Sequence, residues 1–226
     1  MEPASTFQAA QKALHIPAGA TTLDADLTFP QGASGLVLFA HGSGSSRFSP
    51  RNRHVARFLN EGGLATVLAD LLTSAEELVD ERSAHLRFDI DMLGDRLIAV
   101  TDWLSEQEQT RSLPIGHFGA STGAGAALVA AASRPEKIRA VVSRGGRPDL
   151  AGDALPRVRA PTLLIVGGND GPVIGMNQRA LALLGGEKDL VIIPGATHLF
   201  EEAGALDQVA RLARDWFTRH LVCSLF

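Results

Sequence analysis

The segment Gly119-Ala120-Ser121-Thr122-Gly123 sets a serine between two glycines. An apolar run precedes it (115–119), and the small residues Ala124-Gly125-Ala126-Ala127 follow. In a strand, tight turn and helix, Gly-x-Ser-x-Gly forms a nucleophile elbow: the turn strains the serine outward and the glycines let strand and helix approach. The N-terminus of the following helix favours negative charge developing there. Gly119, Gly123 and Gly125 also mimic a dinucleotide-binding loop, but their spacing is not Gly-x-Gly-x-x-Gly, and no lysine follows as in a P-loop.

A serine nucleophile requires a base, and the base requires a group to orient it. The apolar run 162–166 ends in Gly167-Gly168-Asn169-Asp170, and the run 190–193 ends in Pro194-Gly195-Ala196-Thr197-His198. Ser121, Asp170 and His198 therefore occur in the chain order nucleophile, acid, base, each after its own strand. Taken singly, Asp170 is also an ordinary turn former and His198 an ordinary loop histidine. Asp149, in Arg147-Pro148-Asp149-Leu150, is the rival acid, although its context also reads as a helix start. The predicted oxyanion donors are the backbone N–H groups of Thr122 and of Ser43, in the glycine-rich loop His41-Gly42-Ser43-Gly44.

Together these pieces resemble an α/β-hydrolase of the dienelactone-hydrolase-like group. The matching stretches are Phe39-Ala-His-Gly-Ser-Gly-Ser-Ser-Arg47, Gly119-Ala-Ser-Thr-Gly123, Gly168-Asn-Asp170 and Gly195-Ala-Thr-His198, within roughly residues 14–220. The resemblance implies Ser121 as nucleophile, Asp170 as acid and His198 as base, with Ser43 and Thr122 as oxyanion donors. Dienelactone hydrolases proper carry a cysteine nucleophile. A serine at 121 points instead to a general esterase acting on carboxylic esters through an acyl-enzyme. Thioesters, peptides and acyl acceptors other than water are alternatives on the same residues. A non-catalytic α/β binding module that keeps the elbow only for its turn is the alternative of another class.

The elements that must position these residues follow from patterning. Apolar runs at 36–40, 66–70, 115–119, 138–143, 162–166 and 190–193 read as strands buried on both faces, as in a parallel sheet. Residues 21–29 alternate and read as a half-exposed antiparallel edge strand. Ile90, Leu93, Leu97, Val100 and Leu104 have helical spacing, as do Leu206, Val209, Ala210, Ala213, Trp216, Phe217 and His220. The predicted fold is α/β, a mostly parallel doubly wound sheet with helices on both faces, over residues 1–226 as one domain. Only 145–160 separate two consecutive strands, too few for a cap, so the site should be open and take short to moderate acyl chains. Two arginine-bearing loops border it, 47–53 and 144–147. Arg47, Phe48 and Arg144 are therefore candidate substrate contacts, by bidentate pairing with a carboxylate for the arginines. The same arginines can equally hold loops together. Phe48, Leu71, Leu72, Leu199 and Phe200 are candidates for an acyl pocket.

Composition bounds the rest. In 226 residues, 45% hydrophobic and 20% charged content excludes a disordered chain. A net charge of −4 gives no reason to expect nucleic acid or an anionic membrane as partner; the expected partner is a small-molecule ester. The one cysteine, Cys223, excludes an internal disulfide and a cysteine zinc cluster. His-x-His and His-Glu-x-x-His spacings are absent, so neither metal nor other cofactor is expected. Apolar runs are strand-sized, and residues 1–20 lack the apolar core of a secretory signal, so a cytoplasmic protein is expected. The sequence Cys223-Ser-Leu-Phe226 matches a prenylation box only formally, without an upstream polybasic run.

Overall fold

Strands buried on both faces need helices above and below them, and the chain supplies both. A computed structural model describes residues 9–222. Its strands are β1 (Ala9–Ala18), β2 (Thr21–Pro30), β3 (Leu36–Ala40), β4 (Ala65–Ala69), β5 (Ile115–Ala120), β6 (Ile138–Arg144), β7 (Thr162–Gly167) and β8 (Lys188–Ile193). They form one sheet in the order β1-β2-β4-β3-β5-β6-β7-β8. The pairs β1–β2 and β2–β4 are antiparallel, and every pair from β4 to β8 is parallel.

The helices are α1 (Pro50–Glu61), α2 (Ser74–Ser83), α3 (Ile90–Leu104), α4 (Thr122–Ser133), α5 (Gly171–Leu183) and α6 (Ala205–Leu221). On one face α1 and α6 pack Val55, Leu59, Val209, Ala213 and Phe217 against Val37, Phe39, Phe118 and Val142 of the sheet. On the other, α3, α4 and α5 bring Leu93, Leu97, Ala127 and Ala180 against Leu38, Val67, Val141 and Leu164. This is the α/β-hydrolase arrangement expected from the sequence. Between β6 and β7 there is only a 3₁₀ segment, Pro148–Arg157, and no cap.

Two strand expectations need correction. The strand 21–29 is not the sheet edge, because β1 lies outside it over ten residue pairs. In β1 only Leu14, Ile16 and Ala18 are buried, a short alternation too weak to stand out from the polar residues around it. Its Pro17 suits an edge, where one side of the strand forms no ladder. At the other end, β8 is the opposite edge and is not buried on both faces: Lys188 and Asp189 are exposed, and Ile192 is 40% exposed.

Among the described residues no helix is long and apolar enough to cross a membrane. The tail 223–226 lies outside the described residues.

At the centre of the sheet His117, in β5, is fully buried. The Thr101 hydroxyl donates to the Leu97 carbonyl (2.7 Å) and so accepts from His117 Nε2–H (2.9 Å). Burial lowers the His117 pKa from its ordinary 6.5 to about 3. The unfolded chain therefore binds a proton that the folded one refuses, so stability is full above pH 6.5 and declines as pH falls toward about 3. His117→Gln keeps an amide donor for Thr101 but does not titrate. Urea unfolding at pH 7 and pH 5 should show a smaller loss between the two for this variant than for wild type. Equal losses would mean that His117 is not the buried neutral group described.

Candidate active site

The elbow is built by backbone proximity. Ser121 joins β5 to α4 with φ 50° and ψ −122°, outside the regions that L-residues ordinarily occupy. Around it are glycines where a side chain would collide with backbone. A Cβ on Gly119 would lie 2.4 Å from Ala124 Cα, and one on Gly123 would lie 2.3 Å from the Ala40 carbonyl oxygen. The Ser121 carbonyl accepts from Arg147 N (3.0 Å) and Ala124 N (3.1 Å), while its N–H donates to the Arg144 carbonyl (3.3 Å). The serine's backbone is thus fixed from both sides, and the residue lines a cavity.

Asp170 and His198 come together as the sequence predicts. Asp170 is the N-cap residue of α5, yet its side chain makes no cap bond. Its Oδ2 lies 2.7 Å from His198 Nδ1. The two loops are stitched together by backbone: Gly168 N to Ile193 O (2.8 Å) and Asn169 N to Ala196 O (2.9 Å). Asn169 Nδ2 adds a bond to the Gly195 carbonyl (2.9 Å). With Nδ1 engaged, the free ring nitrogen of His198 is Nε2. His198 shares with Ser121 a cavity of about 210 Å³, whose wall also includes Gly42, Ser43, Arg144 and Leu199. Asp149 is not near this histidine; it is held by Arg147, Nε and Nη2 to carboxylate at 2.9 and 2.8 Å.

The loop after β3 approaches the elbow so closely that a Cβ on Gly42 would lie 2.9 Å from Ser121 Cβ. His41 anchors it. His41 Nδ1 donates to the Gly42 carbonyl (3.0 Å), and Nε2 accepts from Leu71 N (3.0 Å). An acceptor nitrogen must be unprotonated, in keeping with burial pushing this histidine's pKa below its ordinary value. The Leu71 carbonyl in turn accepts from Arg96 Nη1, and the Arg96 fork grips Glu76 at 2.5 and 2.8 Å. Arg96 holds the Glu76 carboxyl at a pKa of about 2. The Ser43 N–H, expected as an oxyanion donor, donates to Thr122 Oγ1 (3.0 Å) at the elbow.

Of the predicted substrate contacts, only Arg144 reaches the cavity of Ser121. Arg47 is instead ion-paired with Asp70, whose Oδ1 also takes the Arg47 N–H (2.6 Å), so it ties the loop after β3 to the end of β4. Phe48 is 54% exposed, with the Arg47 and Arg53 guanidiniums 4.3 and 4.9 Å from its ring centre. Leu71 and Leu72, with Leu93 and Thr122, line a second cavity of about 250 Å³ that shares Gly42, Ser43 and Ser45 with the first. Leu199 lines the first cavity, whereas Phe200 is buried and does not line it. Of the loop 47–53 expected at the border of the site, Ser49, Arg51 and Asn52 form cavity wall. The signal was present in Ser49-Pro50, an N-cap and first-turn proline that turn a helix start toward the site.

Residues 23–221 match the dienelactone hydrolase family. The chain belongs to that family. A crystal structure of a dienelactone hydrolase from Anabaena variabilis is similar at 61% identity and a TM-score of 0.93, covering 95% of this chain and 99% of that one. The esterase Est1E from Butyrivibrio proteoclasticus shares the fold at 18% identity, with a TM-score of 0.76 and 92% and 98% of the two chains covered. Two strains of Mycobacterium tuberculosis carry a protein, provisionally named a phosphoribosyl transferase, that is 59% identical over 208 residues. That match covers 92% of this chain and 46% of the relative, so the chain spans about half the length of the curated relatives it matches.

The elbow contacts give a direct test. Gly123→Ala must push apart β3 and the start of α4, and should lower unfolding stability by about 3 kcal/mol, the upper end for a forced core insertion. Chemical denaturation measures it. An unchanged midpoint would contradict the backbone approach described.

Proposed function

We propose that this family member is a serine hydrolase of carboxylic esters working through an acyl-enzyme. The observation that carries the reading is the His198–Asp170 hydrogen bond beside Ser121, in one cavity and on a strained elbow. In this reading His198 Nε2 takes the Ser121 proton as Oγ attacks the ester carbonyl. Asp170 holds the ring by Nδ1–H and stabilises the imidazolium. The N–H groups of Thr122 and Ser43 receive the oxyanion, which displaces Thr122 Oγ1 from the Ser43 amide. The tetrahedral intermediate then expels the alkoxide, which takes the proton from His198. Water, deprotonated by the same nitrogen, attacks the acyl carbon, and His198 returns that proton to Ser121 Oγ as the acid leaves.

The absence of a cap over the 3₁₀ segment favours accessible esters of short to moderate acyl chain. The second cavity, where Leu71, Leu72 and Leu93 stand beside Glu77, Asp80, Glu81 and Arg87, is the space available to the acyl group. The name of the mycobacterial relatives suggests phosphoribosyl transfer as another activity. The matched residues make up less than half of those proteins and carry the hydrolase-family fold, so we assign this chain the hydrolase reaction.

Two measurements test the roles. A fluorophosphonate should label wild type and fail to label Ser121→Ala, whose kcat on a p-nitrophenyl ester should fall by roughly 10⁴-fold or more in a folded protein. Normal turnover by purified Ser121→Ala would refute the nucleophile. Separately, Asp170→Asn should reduce kcat by roughly 10²- to 10⁴-fold through loss of the histidine's orientation, and Asp149→Asn should change it little. The reverse ranking would move the acid to the loop after β6.

A further inference from the structure

The helix that begins after Asp170 carries a buried polar side chain to which the mechanism assigns nothing. Asn177, in α5, is fully buried and lines neither cavity. Its Nδ2 donates to the Val173 carbonyl (2.9 Å) in its own helix and to the Gly146 carbonyl (3.0 Å), 31 residues away. Two carbonyls at one end of the side chain require that end to be the NH2 group. Its Oδ1, by contrast, is buried without a partner. An amide with an unsatisfied buried oxygen is a poor choice for packing alone, because an apolar side chain would avoid that cost. The donors are what this position uses.

Peptide geometry decides where the Gly146 carbonyl leads. Among the described residues no peptide bond is cis, so the C=O and N–H of each peptide group point in opposite directions. The group that opens with the Gly146 carbonyl closes with the Arg147 N–H, which donates to the Ser121 carbonyl (3.0 Å). The group that opens with the Ser121 carbonyl closes with the Thr122 N–H, the proposed oxyanion donor. As the first N–H of α4 it has no partner within the helix. Asn177 therefore heads a line of two hydrogen-bonded peptide groups that ends at the oxyanion. Each hydrogen bond in such a line polarises the next in the same sense. Packing keeps the line in place: a Cβ on Gly146 would lie 2.6 Å from Ala124 Cβ, at the start of α4. The Ser121 carbonyl also accepts from Ala124 N (3.1 Å), so Asn177 supplies part of the polarisation and not all of it. We propose that Asn177 is a positioning residue for the oxyanion hole, orienting and polarising the Thr122 N–H through the Gly146–Arg147 and Ser121–Thr122 peptides. This rests on the serine-hydrolase reading and adds to it a residue outside the cavity.

Asn177→Leu keeps the size of the side chain and removes its donors. In the folded variant kcat on a p-nitrophenyl ester should fall about tenfold with KM unchanged, less than the roughly 10²- to 10³-fold that loss of a whole oxyanion donor costs. An aryl trifluoromethyl ketone gives the matching equilibrium measurement. Ser121 Oγ adds to its carbonyl carbon, His198 takes the proton, and the carbonyl oxygen becomes the oxyanion. Affinity for this ketone should fall by a factor similar to that in kcat. The acidic limb of kcat/KM should not move, because a shift would mean that the variant acts through Asp170 at the head of the same helix. Ala180→Gly weakens α5 one turn further on and should leave kcat and ketone affinity at their wild-type values. Should Asn177→Leu fail to fold, wild type decides by NMR. When the ketone adduct forms, the Arg147 amide proton and the Asn177 side-chain amide protons should shift downfield, because negative charge at the Thr122 N–H strengthens every bond up the line. The proposal is overturned by wild-type kcat or ketone affinity in folded Asn177→Leu, by a shifted acidic limb, by equal losses in Ala180→Gly, or by an Arg147 amide proton that stays in place in the adduct. Failure of the serine reading would appear instead as the absence of fluorophosphonate labelling and of any ketone adduct in wild type.

Discussion

Everything at the site depends on one strained residue being held where it would not rest by itself. Ser121 keeps φ at 50°, a conformation that costs an L-residue on the order of 1–3 kcal/mol unless its surroundings impose it. The surroundings here are backbone: the carbonyls of Ala40 and His41 against Gly123, the Ala124 Cα against Gly119, and the Gly42 loop against Ser121 itself. Parallel strands β3 and β5 are adjacent, so the loop after one and the turn after the other meet at the same edge. The sheet converts its own register into the serine's exposure.

A second layer of support is polar. The loop after β3 is fixed through His41 to Leu71, and Leu71 is fixed through Arg96 to Glu76, which also caps α2. Arg47 and Asp70 tie the same loop to the end of β4. Side chains that looked from sequence like substrate contacts are thus part of the scaffold that positions backbone donors. Arg144 departs from this pattern, since its neighbours satisfy neither its charge nor its Nε.

What could be read from sequence was whatever depends on local chain geometry. Gly-x-Ser-x-Gly needs its glycines because the backbone at Ser121 needs them, and the runs at β3, β5 and β7 are apolar because both their faces are covered. Asp170 and His198 were legible because each follows a strand that ends at the common edge. What depends on long-range pairing was not legible. Whether Arg47 faces substrate or Asp70 is decided by residues 23 positions apart in sequence, and Arg144 and Asn52 meet across 92. The strand β1 escaped notice because an edge strand needs only one apolar face, and three buried side chains suffice.

The histidine and its carboxylate are unequally sheltered: the Asp170 side chain is 12% exposed and the His198 side chain 38%. An acyl group on Ser121 would therefore wait beside a base that bulk water can reach, while the charge that steadies the base stays shielded. A site that closes around the base keeps water from a reactive intermediate, and no cap stands over this one. If the proposed acyl-enzyme forms, its partition between solvent and competing nucleophiles is set by architecture before any substrate is chosen. On the proposed mechanism, a helical insertion between β6 and β7 would change that partition without altering Ser121, Asp170 or His198.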